Sequence, residues 1–515
     1  VPHPFVDVSA SKVACLWALV TLAACHAEGA AEAPRTVTRV LGPLAPALLS
    51  VAGEDDGTLW LAGADAGDGR GAFLARRAPG RDEVERVDLR AVDVAGGALW
   101  WVHVVAPGRV LVAGDRGRVL AVDAQTPGGD LITRLDTRTG VQLYGVAARD
   151  GLAFAVGGAP ATVLAIDLAS GRVEPVALPA DVPASARLFK VFAAPDGTFE
   201  VVGEAGIHLS VTPSDPPRVT SHPVPGGPRL VTIHGPATPG SSRLAVGGTV
   251  DAYAVEIRDD LTFRRISPPS GALLNGVFVG ARTFAVGFLG AVFEREGDAW
   301  RSIDGVDAGF DAHAVYVDAS GTAWIAGGRL LDGSLRGGAL WRLGPDPHAL
   351  LTPTELDVAG DVEVTGDVAP GDVAPEVSER CTGLAPATTL ELGERDARGC
   401  FQAFVAGGAV RVVNGPQGGS HVELAVRFPA TSANPRIRIE ATLVVEDSVV
   451  ARFSTRDLPA ELDLVSTETR VTTDVPIIFA SADPTPWLGR TARLTCLVEA
   501  GDATLTGELE VAITR

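Results

Sequence analysis

Methionine is absent from the 515 residues and lysine occurs only at Lys12 and Lys190, so almost all positive charge is carried by arginine. Arg and Lys together number 43 against 63 Asp and Glu, a net charge of −20. Such a chain offers no basic stripe to neutralise phosphates, which excludes a general nucleic-acid binder. Anionic lipid would repel it, so any membrane attachment has to be covalent. Eight Trp and three Tyr are too few to read as an aromatic sugar platform. No Walker A loop, no GxGxxG after a strand, no HExxH and no GxSxG occurs. No reaction is identified, no cofactor is expected, and the balance leans away from an enzyme.

What is present is apolar, turn-rich and patterned for strands. Hydrophobic residues make up 46% of the chain, alongside 60 Gly and 36 Pro. Val, Thr and Leu alternate with polar residues throughout, a period of two rather than 3.6, which predicts an all-β chain. The one continuous apolar run, residues 13–24, follows Lys12 and ends at Cys25. At about a dozen residues it has the length of a secretory signal core and not of a bilayer span. Its last residues, Leu22, Ala23, Ala24 and Cys25, resemble the bacterial lipobox, and that resemblance implies a signal over 1–25 and lipidation of Cys25. His26 follows where an inner-membrane retention signal would place Asp, so the expected address is the cell envelope, at the outer membrane.

From 35 to 350 the chain repeats itself. An apolar stretch ends in Gly at Gly63, Gly114, Gly157, Gly203, Gly247, Gly287 and Gly327, with spacings of 51, 43, 46, 44, 40 and 40 residues. Four-stranded propeller blades run to ~40–50 residues. Each unit has a first strand with a Val or Ile, placed at Val51, Val104, Val146, Val191, Ile233, Val277 and Val315. A turn follows, as at Asp56-Gly57, Asp196-Gly197 and Ser320-Gly321, and then the strand ending at the anchor Gly. The anchor Gly is expected to permit a bend or a close approach between blades. Seven blades are predicted, with residues 36–41 as the strand that completes the last one.

An A/V-G-x-x-G pattern follows the second strand, at residues 113–117, 202–206 and 286–290. With the period, it resembles the photosystem II assembly-factor-like and BNR-repeat propellers. The resemblance covers about 60% of the chain and implies a fold more than a function. The sialidase Asp-box is only partly echoed, at 56–60 and 320–324.

Residues 343–379 contain no Lys or Arg, and Gly-Asp-Val recurs at 360–362, 366–368 and 371–373. An acidic, extended linker over 351–380 is expected. Residues 381–515 read as a β-sandwich of Ig-like type, with strands at 388–392, 409–413, 422–428, 436–445, 449–454, 461–465, 475–480, 492–498 and 504–513. Of its three cysteines, Cys381 and Cys400 are the favoured disulfide, leaving Cys496 as a core thiol; Cys400–Cys496 is the alternative. Metal sites are not expected, and the glycines at 67, 69 and 71, with Asp65 and Asp68, read as a loop.

One column of residues is a candidate ligand contact. The positions just before the first-strand Val or Ile are Ser50, His103, Gly145, Lys190, Thr232, Gly276 and Ala314. Facing the central tunnel, Ser50, His103, Lys190 and Thr232 could meet an anionic or polar ligand; the competing reading is that small residues relieve crowding at the axis. The expected function is a non-enzymatic binding or scaffolding lipoprotein with a protein or glycan partner. The alternatives are a glycan-active hydrolase or lyase, and an assembly factor for an envelope complex.

Overall fold

The computed structural model describes residues 35–345 and 386–515. Short stretches are excepted: 82, 91, 93–95, 126–129, 250, 269–272, 308, 332, 397–399, 415–419, 431–435, 460, 464–465, 480–483 and 501–502. The lipobox residues Leu22, Ala23, Ala24 and Cys25, the linker 351–380 and Cys381 lie outside the described residues.

Seven antiparallel four-stranded sheets follow one another from residue 35 to 345, forming a seven-bladed β-propeller. Each blade begins with its innermost strand: Leu48–Gly53, Leu99–Ala106, Gln142–Arg149, Leu188–Ala193, Leu230–His234, Leu274–Phe278 and Asp311–Val317. Every one of these packs against the first strands of both neighbouring blades, so they make a closed ring around a central channel. Blade seven takes its fourth strand, Arg35–Pro46, from the start of the propeller, pairing it with Arg336–Pro345. This is the closure expected of residues 36–41.

The propeller core is divided among the blade interfaces. One cluster joins blades one and two through Trp60, Leu74, Val102 and Val112. Another joins six and seven through Phe284, Val286, Ile325 and Trp341, and blade one closes on seven through Leu48, Leu61, Ala326 and Leu340. Both faces of each blade are therefore covered. Each large apolar side chain buried there contributes roughly 1.5–3 kcal/mol.

All seven predicted glycines lie at one register, at or within two residues of the end of the second strand. Their shared constraint lies inside the blade and not between blades: a Cβ on Gly63 would overlap the carbonyl of Ala47, and one on Gly287 that of Leu273, each just before its own inner strand. The hairpin glycines Gly57, Gly197 and Gly321 have φ of 89°, 89° and 80°, which a side chain would strain. The Asp-box echo is a local tie, in which Trp324 Nε1 donates to Asp318 Oδ2 at 2.9 Å and Trp60 Nε1 donates to Glu54 Oε1 at 2.5 Å.

The C-terminal region is all-β, but its strands pair differently from an Ig-like sandwich. Seven strands join edge to edge in a ring: Ser420–Pro429, Gly408–Asn414, Ala503–Thr514, Thr491–Ala500, Arg436–Val445, Ser448–Pro459 and Ser466–Phe479. The last pairs back with the first, and the result is a barrel-like closed sheet. One junction is parallel, Gly408–Asn414 with Ala503–Thr514. Glu391–Arg395 and Phe401–Ala403 extend from the ring. The alternation expected of strands is obeyed: Leu424, Val426, Ile439, Leu443, Leu494, Cys496 and Val498 all point into one core. Cys400 is disulfide-bonded while Cys496 is free and buried, so the Cys400–Cys496 pairing is excluded.

Candidate functional site

Every inner strand carries a bulge at the same place, and three tiers of side chains line the axis as a result. The bulges fall between Leu48 and Ser50, Leu99 and Trp101, Leu143 and Gly145, Leu188 and Lys190, Leu230 and Thr232, Leu274 and Gly276, and Ala312 and Ala314. An extra residue at a bulge drops out of the ladder and re-aims its side chain. The displaced residues are Leu49, Trp100, Tyr144, Phe189, Val231, Asn275 and His313, all buried. Trp100 meets Tyr144 edge-on with ring centroids 5.6 Å apart, and Tyr144 meets Phe189 at 5.3 Å. Trp100 Nε1 donates to Asp115 Oδ1 at 2.7 Å, and Tyr144 Oη donates to Gln142 Oε1 at 3.0 Å. This tier is an apolar plug with its polar tips satisfied.

The second tier follows the bulge. Its register aligns Ser50, Trp101, Gly145, Lys190, Thr232, Gly276 and Ala314, each opposite the residue before an anchor Gly. Blade two thus contributes Trp101, and Val102 rather than Val104 is its equivalent of Val51. His103 belongs one step further along. In that strand Val102 and Val104 satisfy the same period-two pattern, and hairpin length varies between blades, so spacing could not separate them. Most of this tier serves blade contact. Ser50 Oγ accepts from Val102 N at 3.1 Å, and Thr232 Oγ1 donates to the Asn275 carbonyl. A Cβ on Gly145 would lie 3.1 Å from Lys190 Cα, and one on Gly276 2.8 Å from the His313 carbonyl oxygen.

Lys190 is the exception. It is 4% exposed, and its ammonium lies over the ring of Trp101, two blades away, across the position where blade three has only Gly145. Among the described residues it has no ion pair and no hydrogen bond, and burial alone holds its pKa well below the usual lysine range. A cation over an indole face recovers part of the lost hydration, on the order of 2 kcal/mol when desolvated. That is small beside the cost of leaving a buried ammonium without a counter-charge.

The third tier faces the end of the channel where the first hairpin of each blade turns. It holds Ala52, His103, Ala147, Phe192, His234, Phe278 and Tyr316, one per blade. Phe192, His234, Phe278 and Tyr316 form an unbroken wall over four blades, with successive centroids 5.3, 4.6 and 5.7 Å apart. His103, Phe192, His234, Phe278 and Tyr316 are all partly exposed, as is Trp101 below them. Tyr316 lies on the backbone of Gly53, where a Cβ would collide with it. Burial and then the Lys190 charge hold His103 and His234 down to about 4, opposed by their backbone hydrogen bonds; the same causes hold His313, in the plug, down to about 3. The imidazoles are therefore neutral near pH 7. His234 Nδ1 accepts from Val279 N at 3.0 Å, which sets its ring plane against Phe278.

Composition concealed this mouth. Its rings are dispersed one per blade at spacings of about 40 residues, and only alignment on the bulge brings them together. Elsewhere, Asp68 is paired with Arg86 at 2.7 Å, and no cluster of three or more His, Cys, Asp or Glu among the described residues is arranged for a metal.

No family model matches the chain, and no curated protein matches it. Among solved structures it is similar to "YCF48 bound to D1 peptide" at 14% identity and a TM-score of 0.47, covering 61% of this chain and 97% of that one. It is similar to the WD40 propeller domain of Doa1 at 10% identity and a TM-score of 0.44, covering 60% and 98%. The extracellular domain of the putative one component system BT4673 from B. thetaiotaomicron aligns at 8% identity and a TM-score of 0.46, covering 78% of this chain and 47% of that one.

Proposed function

We propose that this chain is a non-enzymatic binding or scaffolding module of a bacterial cell envelope, held by lipid at Cys25 on the outer membrane. In this reading it engages a protein or glycan partner through the channel mouth. The observation that carries the reading is the partly exposed wall of Phe192, His234, Phe278 and Tyr316 above the unpaired Lys190. Partly exposed rings held by a closed ring of strands lose little freedom on binding, which is what a preorganised site requires. The groups lining the mouth are aromatic, imidazole and ammonium; a pair of carboxylates, as glycan hydrolysis uses, is not among them. The envelope address rests on the lipobox resemblance of Leu22, Ala23, Ala24 and Cys25.

Affinity capture of the anchored protein from its own envelope tests the binding role. Wild type should recover a partner that a Phe192→Ala/Phe278→Ala variant does not; equal recovery by both would place the interface elsewhere. Metabolic labelling with a lipid precursor tests the anchor. The label should be lost in Cys25→Ser, and unchanged labelling would end that part of the proposal.

A further inference from the structure

We propose that the channel mouth is a site for a carboxylate borne on a flat apolar group, with Lys190 as its charge partner and the aromatic wall as its bed. The inference rests on the reading of the mouth as a binding surface and names what that surface takes. Lys190 is one of only two lysines in the chain and the only one among the described residues. It stands 96% buried in a channel of rings, without a counter-ion. A fold that needed only bulk there could place Met or Leu, because replacing a buried charge by an apolar side chain of similar volume is commonly neutral or stabilising. A lysine kept there without a partner is a site completed by something else.

The surroundings define that missing group. The titratable side chains of the mouth and plug tiers besides Lys190 are the neutral imidazoles of His103, His234 and His313 and the phenols of Tyr316 and Tyr144, held protonated by burial; Asp115 and Arg229 act on the plug alone, through Trp100 and over Phe189. Blade three presents Gly145 and blade one Ser50, whose hydroxyl is already engaged by Val102. No carboxylate contributes to the state of Lys190. Burial opposes the proton on Lys190, so an acid that enters the mouth and gives its proton to this amine forms an ammonium–carboxylate pair at low local dielectric, where a charge-assisted hydrogen bond is strongest. The plug of Trp100, Tyr144 and Phe189 closes the channel beneath. A ligand thus enters from the hairpin face, charge first, and leaves its apolar body against the near-parallel rings of His234 and Phe278, 25° apart in plane.

Two sources carry this chemistry, a small aromatic acid and the free C-terminus of a chain ending in an aromatic residue. Calorimetric titration of the full-length protein with benzoate and indole-3-acetate covers the first. Titration with a short peptide ending in Phe, as the free acid and as the amide, covers the second. Saturable binding by either acid is expected, and Lys190→Met should weaken it by about tenfold or more, the worth of one charge-assisted hydrogen bond. Should Lys190→Met fail to fold, the wild type alone decides. Benzyl alcohol and the peptide amide keep the apolar body without the charge, and either binding as tightly as its acid would overturn the role of Lys190. Equal affinity in Lys190→Met, or no saturable binding by any acid, would also overturn it. The wider reading is separable: partner capture that survives Lys190→Met but not Phe192→Ala/Phe278→Ala would leave the binding surface standing and remove the carboxylate site.

Discussion

At the scale of single residues, the channel sets its own pH response. A histidine whose folded pKa lies below its unfolded value binds fewer protons when folded. Stability is then complete above the unfolded pKa and is lost as pH falls toward the folded one. His103 and His234 are held down to about 4 and His313 to about 3. Their window therefore runs from ordinary histidine values near 6.5 down to about 4, and about 3 for His313. Lys190 acts with the same sign further up the scale, because its unfolded form binds a proton that the buried form resists. The urea midpoint should accordingly fall between about pH 7 and about pH 4.5. His234→Phe keeps a ring against Phe278 but cannot charge, so its midpoint should fall less over that interval. An equal fall in the variant would mean that His234 does not supply the slope.

At the scale of elements, the strand Arg35–Pro46 bears a load that its position in the chain conceals. It is the outer strand of blade seven, next to Arg336–Pro345, and so ties the start of the propeller to its end. Its Val40, Leu41 and Leu44 pack on the cluster that joins blades seven and one. Removing it would expose the edge of Arg336–Pro345 to pairing with another chain and strip one of seven equivalent interfaces. A chain starting after Pro46 should unfold at lower denaturant than the intact protein and self-associate. Unchanged unfolding of the truncated chain as a monomer would show that blade seven closes without it. The inner-strand bulges belong to this scale as well. One extra residue per blade creates the plug and, three positions later, the mouth, so the same irregularity builds both ends of the channel.

At the scale of the molecule, the chain holds two kinds of core. The propeller distributes its apolar side chains over blade interfaces, while the C-terminal barrel gathers most of its own in one large cluster that includes Cys496. Burial pushes the Cys496 thiol up to about 12, leaving very little thiolate at neutral pH. Cys400 is held in a disulfide, so Cys496 is a reporter of the barrel. An aromatic disulfide reagent should leave it unmodified in the native protein and label it in step with loss of barrel structure in denaturant. Rapid labelling under native conditions would contradict the closed barrel.

Much of the propeller was legible because each blade is a local object. Three hairpins within about 40–50 residues, with an anchor glycine that has no room for a Cβ at one register, repeat seven times, and Asp-Gly turns the first hairpin in three of the blades. Blade number, anchor glycines and closing strand all follow from that repetition. Tertiary structure decided whatever depended on pairing across distance. In blade two, period-two alternation is satisfied by Val102 and Val104 alike, and only pairing with Val112 or Val110 distinguishes them; hence Trp101 took the place expected of His103. In the C-terminal region strand patterning is the same for a sandwich and a barrel. The barrel was settled by a parallel pairing of residues about 100 apart and by the return of Ser466–Phe479 to Ser420–Pro429. Lys190 was visible in the sequence as a rare lysine. Its burial without a partner is a property of the ring of blades around it, which no local pattern encodes.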